Sequence, residues 1–380
     1  LIKKYKYFRN YFKRRLSQVG KKRHYYSGGN TCLGFYHFYP TMASENVERK
    51  IILKGGPGVG KSNFMREIGE SFAALGYDLA YHWCSSDPDS LDGLVIGDLF
   101  CLLDGTSPHV IDPQYPGAVD EIVNLGCYWN RGKIRENRQA VISLTNTISS
   151  YFKLAYLRLQ ESSIAWQEMQ FYTNASMHWP SVNKNILALG QDFLATGKFS
   201  DVKPRHLFAA AITPGGIITK HDSLIDADYS IYAVSGRPGC GLQMLFSYLL
   251  QQIELNSLEA EILHNPFIPQ DIDFILFPQA KSVLIDISAN VVDYAALLPG
   301  RFKRRLDFDL LLQNSAAHTE DFQRAKERCS AGIEAAIHFL SQAKTLHDEL
   351  EAFYTPHMDF AAMNAFRNAL CEELAGSVTD

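Results

Sequence analysis

Eight consecutive residues, Gly55-Gly56-Pro57-Gly58-Val59-Gly60-Lys61-Ser62, have the spacing of a phosphate loop, G-x-x-x-x-G-K-[ST]. Side chains of these types serve one kind of chemistry. The glycines let successive backbone N–H groups turn inward around a polyphosphate, the lysine reaches its β and γ oxygens, and the serine hydroxyl is a ligand for Mg²⁺. Residues 55–63, from Gly55 through Ser62 to Asn63, are therefore the expected nucleotide-binding segment, with Lys61 also catalytic and Ser62 a metal ligand. Asp104 closes the apolar run Leu99-Phe100-Cys101-Leu102-Leu103. A carboxylate at the end of such a strand is expected to hold Mg²⁺ opposite the serine. Residue 105 is Gly, so the acid that often follows this aspartate and polarises the attacking water is missing. Asp87 and Asp92, in the polar stretch 84–93, and His109, in Gly105-Thr106-Ser107-Pro108-His109, are the candidates for orienting a water or taking a proton from an acceptor hydroxyl. The competing use of each is to stabilise a turn.

The flanking sequence supplies elements in the order such a loop requires. Ile51-Ile52-Leu53 reads as a short strand before it, and residues 63–75 place Phe64, Ile68, Phe72 and Leu75 on one helical face after it. Leu79-Ala80-Tyr81-His82-Trp83 reads as a second strand, and residues 84–93 as the loop leaving it. Longer helices are expected over residues 135–170 and 320–353, covering the sheet or pairing with one another. The fold class is α/β, with mainly parallel sheet and flanking helices.

The sequence also repeats itself. At a shift of 181 to 183 residues, Arg23-His24 meets Arg205-His206, Gly55, Pro57, Gly58 and Gly60 meet Gly236, Pro238, Gly239 and Gly241, and Asp92 and Asp104 meet Asp273 and Asp286. Phe171-Tyr172-Thr173 meets Phe353-Tyr354-Thr355 further on. A unit of this length has been doubled, which divides the chain into a basic tail (1–22), a first repeat (23–204) and a second repeat (205–380). In the second repeat Leu242 and Gln243 replace Lys61 and Ser62. Leucine cannot pair with phosphate, and glutamine is a poor substitute for the small hydroxyl on Mg²⁺. One competent site is expected, in the first repeat. The run Arg301-Phe302-Lys303-Arg304-Arg305 reads as a solvated basic turn.

Charge sets the N-terminus apart. Ten of the 37 Lys and Arg residues lie within residues 1–23, leaving 27 against 41 acids in the rest, a balance of −14. Leu1, Tyr5, Phe8, Phe12, Leu16 and Val19 fall on one helical face of this tail, a basic amphipathic pattern suited to an anionic membrane surface or to nucleic-acid phosphates. The chain starts with Leu rather than Met, and the tail is expected to stand outside the functional core. The acidic remainder carries no strong nucleic-acid signal. Seven scattered cysteines without a C-x-x-C pair argue against a disulfide framework or structural zinc and for a reducing cytoplasm, with the thiols buried as small hydrophobes.

Taken together, residues 24–31, the loop at 55–62, residues 84–93 and residues 104–109 resemble a family of bacterial tandem P-loop proteins of about 360 residues, over residues 23–376. The resemblance implies a duplicated P-loop NTPase fold and ATP rather than GTP as the nucleotide. In that family the second repeat typically also carries the lysine and serine, so Leu242 and Gln243 are a departure. The leading expectation is a cytoplasmic Mg-ATP-dependent ATPase or switch, with ATP and Mg²⁺ at the first repeat and a regulatory or docking second repeat facing an unidentified protein partner. The alternatives are a nucleotide or small-molecule kinase, suggested by the missing acid after Asp104, and a non-enzymatic nucleotide-binding module.

Overall fold

The computed structural model describes residues 20–106, 110–298, 302–313 and 319–378. Nearly all of the basic tail, His109 and Arg301 lie outside the described residues. The strands in chain order are β1 (Lys22–Tyr26), β2 (Gly28–Thr31), β3 (Gly34–His37), β4 (Arg49–Lys54), β5 (Leu79–Trp83), β6 (Leu91–Ile96), β7 (Phe100–Asp104) and β8 (Asp120–Asn124). They continue with β9 (Arg205–Phe208), β10 (Ala210–Thr213), β11 (Gly216–Thr219), β12 (Ser230–Ser235), β13 (Glu261–His264), β14 (Ile272–Phe277), β15 (Ser282–Asp286) and β16 (Phe302–Asp307). The helices are α1 (Lys61–Ala74), α2 (Arg131–Glu136), α3 (Arg138–Ala175), α4 (Trp179–Leu194), α5 (Leu242–Leu255), α6 (Thr319–Glu351) and α7 (Phe360–Ser377).

Two compact units are formed, and neither is a continuous half of the chain. Among the described residues, the first takes 20–24, 43–149 and 343–378, and the second takes 25–42 and 150–342. The repeat boundary near residue 204 marks the duplication in sequence, whereas the compact units draw on both repeats.

In the first unit the strand order is β1-β5-β6-β7-β4-β8. Strand β4, next to the edge strand β8, is parallel to both β7 and β8. Ile51, Ile52 and Leu53 are fully buried, as an uninterrupted apolar run requires when both faces of a strand are covered. Strand β6 runs antiparallel to both β5 and β7. It occupies part of the stretch that the sequence reading leaves as loop. Helix α1 buries Phe64, Met65, Ile68 and Phe72, and against it packs α7, whose Met363, Leu370 and Leu374 join the same core. The last helix of the second repeat thus completes the core around the first glycine loop.

The second unit repeats the plan. Its order is β9-β13-β14-β15-β12-β16, with β12 parallel to β15 and β16 and β14 antiparallel to both neighbours. Here α5 is packed by α4 from the first repeat, with Val182, Ile186, Leu189 and Phe193 against Leu245, Phe246, Leu249 and Ile253. Ala155, Leu159, Trp166 and Met169 of α3 share a core with Ala325, Cys329, Ile333 and Leu340 of α6. A Cβ on Gly332 would lie 2.1 Å from Ser162 Oγ, so glycine is what lets these two helices close at that point. The basic run is no turn: residues 302–307 form β16 beside β12, where Arg304 is ion-paired with Asp192. All seven cysteines are free. Five are buried, but Cys127 is exposed and Cys371 half-buried, so the expectation of seven buried thiols fails at those two.

Replacing Leu374, fully buried on α7, by Ala is expected to destabilise the first unit by about 2–5 kcal/mol. Denaturant unfolding read by the fluorescence of Trp83 and Trp129, in a chain with Trp166 and Trp179 changed to Phe, measures this unit.

Candidate functional site

The residues expected to bind nucleotide are brought together where β4 turns into α1. Gly58 and Gly60 adopt φ of +67° and +87°, the left-handed region that glycine enters without a Cβ penalty. Between them Val59 is buried against the base of the loop, with its Cγ2 only 2.8 Å from where a Cβ on Gly55 would stand. Pro57 precedes this bend, and Lys61, Ser62 and Asn63 form the first turn of α1, the positive end of the helix dipole. Lys61 Nζ folds back over the loop, donating to the carbonyls of Gly55 and Gly56 at 3.0 Å each. It also stands 3.5 Å from Asp104 Oδ2, with both side chains largely buried. Ser62 Oγ accepts from the amide of Leu91 at 3.0 Å, which ties α1 to the start of β6. Asp104 ends β7, accepts from the amide of Thr106 at 2.8 Å, and Thr106 Oγ1 in turn donates to Gly55 O at 2.8 Å.

The absence of an acid after Asp104 has a steric cause. A Cβ on Gly105 would lie 2.4 Å from Ile52 Cγ2. Its carbonyl also accepts from Lys54 Nζ at 2.8 Å. The other candidates are placed differently from the sequence reading. Asp87 is in the loop, but it accepts from Ser90 Oγ at 2.6 Å and lies 3.4 Å from Lys344 Nζ. Asp92 is not in a loop: it sits inside β6 and is almost fully buried. Burial raises the Cys84 thiol well above its ordinary range, and the Asp92 carboxylate adds to the effect.

Sequence reasoning missed the side chains that cover the loop. Glu351, at the end of α6, accepts from the amide of Gly58 at 3.1 Å. Thr355 Oγ1 donates to Gly58 O at 3.4 Å, and Trp129 and Tyr354 border Gly56. Nothing in the spacing of residues 351–355 marks them as loop contacts. Only the duplication hints at it, because Gln170 O approaches Gly239 as Glu351 O approaches Gly58.

The second loop keeps the backbone and changes the chemistry. Gly239 and Gly241 have φ of +90° and +103°. Leu242 is buried, and Gln243 turns away to bond both the amide and the carbonyl of Ile272. Asp286 ends β15 as Asp104 ends β7, and accepts from the amide of Ser288 at 2.8 Å. Asp273 accepts from Asn265 Nδ2 at 2.8 Å and Tyr294 Oη at 2.7 Å. Burial pushes Asp271, Asp273 and Asp286 up to about 7, with their mutual repulsion adding to it.

Among the described residues no group of three or more His, Cys, Asp or Glu side chains is disposed to hold a metal ion, and no helix is long and apolar enough to cross a membrane. Comparison with protein-family models, with curated proteins and with solved structures finds no match for the chain.

The three raised carboxylates make stability depend on pH. Each binds its proton more tightly folded than unfolded, where an aspartate titrates near 3.9. Stability therefore falls as pH rises from about 4 to about 7 and stays reduced above that. The second unit is expected to melt at lower temperature at about pH 8 than at about pH 5, and Asp286→Asn to flatten that slope. Thermal unfolding across this range, in a chain with Trp83 and Trp129 changed to Phe so that Trp166 and Trp179 report on the second unit, checks it.

Proposed function

We propose that the chain is a Mg-ATP-dependent P-loop ATPase or switch with its one competent site at the first glycine loop. The observation that carries this reading is the convergence of four features at the end of β4: two left-handed glycines, a helix N-terminus, Lys61 paired with Asp104, and the Ser62 hydroxyl. These residues suit a nucleoside triphosphate with its metal. The amides of residues 58–62 and Lys61 would hold the phosphates, and Ser62 and Asp104 would hold Mg²⁺. When bound, the metal supplies neutralisation of charge on the β and γ oxygens. ATP rather than GTP rests on the resemblance to the bacterial tandem P-loop family, and a cytoplasmic setting on the seven scattered cysteines without a C-x-x-C pair.

The Glu351 carboxylate favours a switch over a constantly open ATPase. It accepts the Gly58 amide that a phosphate oxygen would use, and two anions on one donor repel each other. Nucleotide entry requires that side chain to leave the loop, so occupancy is coupled to the end of α6. A second reading, a nucleotide or small-molecule kinase, is favoured by one observation: the residue after Asp104 has no space for a water-polarising acid.

Phosphate release from Mg-ATP is expected in the parent chain and is expected to be lost in Lys61→Ala. Bound nucleotide with no release in either, together with phosphate transfer to an added acceptor, would move the assignment to the kinase reading. Glu351→Gln keeps the size of the side chain and removes its charge. It is expected to tighten ATP binding by about tenfold, equal to about 1.4 kcal/mol, measured by calorimetric titration.

A further inference from the structure

After β8 the chain passes along the first glycine loop. A Cβ on Gly55 would lie 3.7 Å from the Gly126 amide nitrogen, and one on Gly56 3.2 Å from Trp129 Cζ2. Asn130 then caps α2, its side chain accepting from the Lys133 amide at 3.2 Å while its own amide donates to His357 O at 2.9 Å. Beyond this point the charge reverses. Residues 131–149 hold Arg131, Lys133, Arg135 and Arg138 against Glu136 alone, a balance of 4 − 1 = +3, and no further acid occurs before Glu161. The chain outside the basic tail is acidic as a whole, so its net charge conceals this local bank.

All four basic side chains are exposed. Lys133 is paired with Glu136 at 3.0 Å. Among the described residues Arg131, Arg135 and Arg138 have no ion pair, hydrogen bond or ring contact. They hold nothing in the fold, and the second copy shows that the fold does not need them. At a shift of 182 to 183 residues the corresponding stretch, 313–321, contains no Lys or Arg and carries Glu320 and Asp321. The bank belongs only to the copy that keeps Lys61.

The surrounding surface narrows the partner. No large apolar side chain is exposed between Arg131 and Val141, so the bank offers neither the buried anchor that a protein partner requires nor an apolar face to enter a lipid surface. Its other exposed groups include the amide of Gln139 and the hydroxyl of Ser143. Three guanidinium groups within about 11 Å of helical rise match closely spaced phosphates, which arginine engages through paired N–H donors.

We propose that Arg131, Arg135 and Arg138 form a docking surface for the phosphate backbone of a nucleic acid, bound without base readout beside the first glycine loop. The affinity comes from phosphate neutralisation and the release of counterions. The proposal does not rest on what the first loop binds.

The test is fluorescence anisotropy of a labelled 20-nucleotide single-stranded DNA titrated with the full chain over a range of salt concentrations. The ten basic residues within 1–23 also attract polyanions, so variants of the full chain decide the matter. Changing Arg131, Arg135 and Arg138 together to Gln is expected to weaken binding at least about tenfold at ~0.1 M salt and to lower the slope of log affinity against log salt by about 2. Changing Lys184, Lys198 and Lys203, exposed elsewhere, to Gln removes the same charge and is expected to alter affinity less than about twofold. Four results overturn the proposal: the parent chain does not bind the oligonucleotide, the arginine variant keeps its affinity and slope, the lysine variant loses as much, or polyglutamate of equal charge displaces the oligonucleotide as well as unlabelled DNA does.

Discussion

Two residues in each glycine loop must pass through left-handed backbone space, and the rest of each unit is arranged around that bend. Gly58 and Gly60 do so in one copy, Gly239 and Gly241 in the other. Side chains at these positions would be strained in φ, and they would also collide: a Cβ would lie 2.5 Å from Thr355 Oγ1 at Gly58 and 2.5 Å from Gln170 O at Gly239. The bend converts a buried parallel strand directly into a helix. It thereby puts residues 61 and 62, or 242 and 243, at a helix N-terminus beside the end of the neighbouring strand, where Asp104 or Asp286 stands. Position is set by the backbone, and charge is chosen afterwards by one or two side chains.

That separation explains how one architecture carries two glycine loops of different chemistry. The strand order and the antiparallel insertion are the same in both units, while the second loop has the neutral Leu242 where the first has the Lys61 ammonium. The exchange of C-terminal helices adds a second independent variable. Because α6 and α7 cover the first loop and α3 and α4 the second, the covering residues differ, with the Glu351 carboxylate on the Gly58 amide and the Gln170 backbone against Gly239.

Much of this was legible in the residues themselves. The strand at Ile51 to Leu53, the helix after Gly60, the strand Leu79–Trp83 and the carboxylate closing β7 all follow from apolar runs, period and punctuation. The two long helices lie close to their expected spans. Strand β6 was not legible, because Asp92 and Gly93 look like loop residues. They are tolerated in a strand only because its neighbours on both sides supply the ladder, which is a tertiary fact. The helix exchange left no local trace, since an amphipathic helix shows that it needs a partner but not which one. Glu351 was invisible for the same reason: its meaning comes entirely from the Gly58 amide, 293 residues away in sequence.

The account is tested most directly by the stoichiometry of nucleotide binding, from equilibrium titration of the full chain with ATP in the presence of Mg²⁺. It predicts one nucleotide per chain, because only the first loop combines the left-handed glycines with Lys61 and Ser62. Two nucleotides per chain would mean that the second loop holds a triphosphate without a lysine, and none would mean that the first loop is not a phosphate site; either result contradicts it.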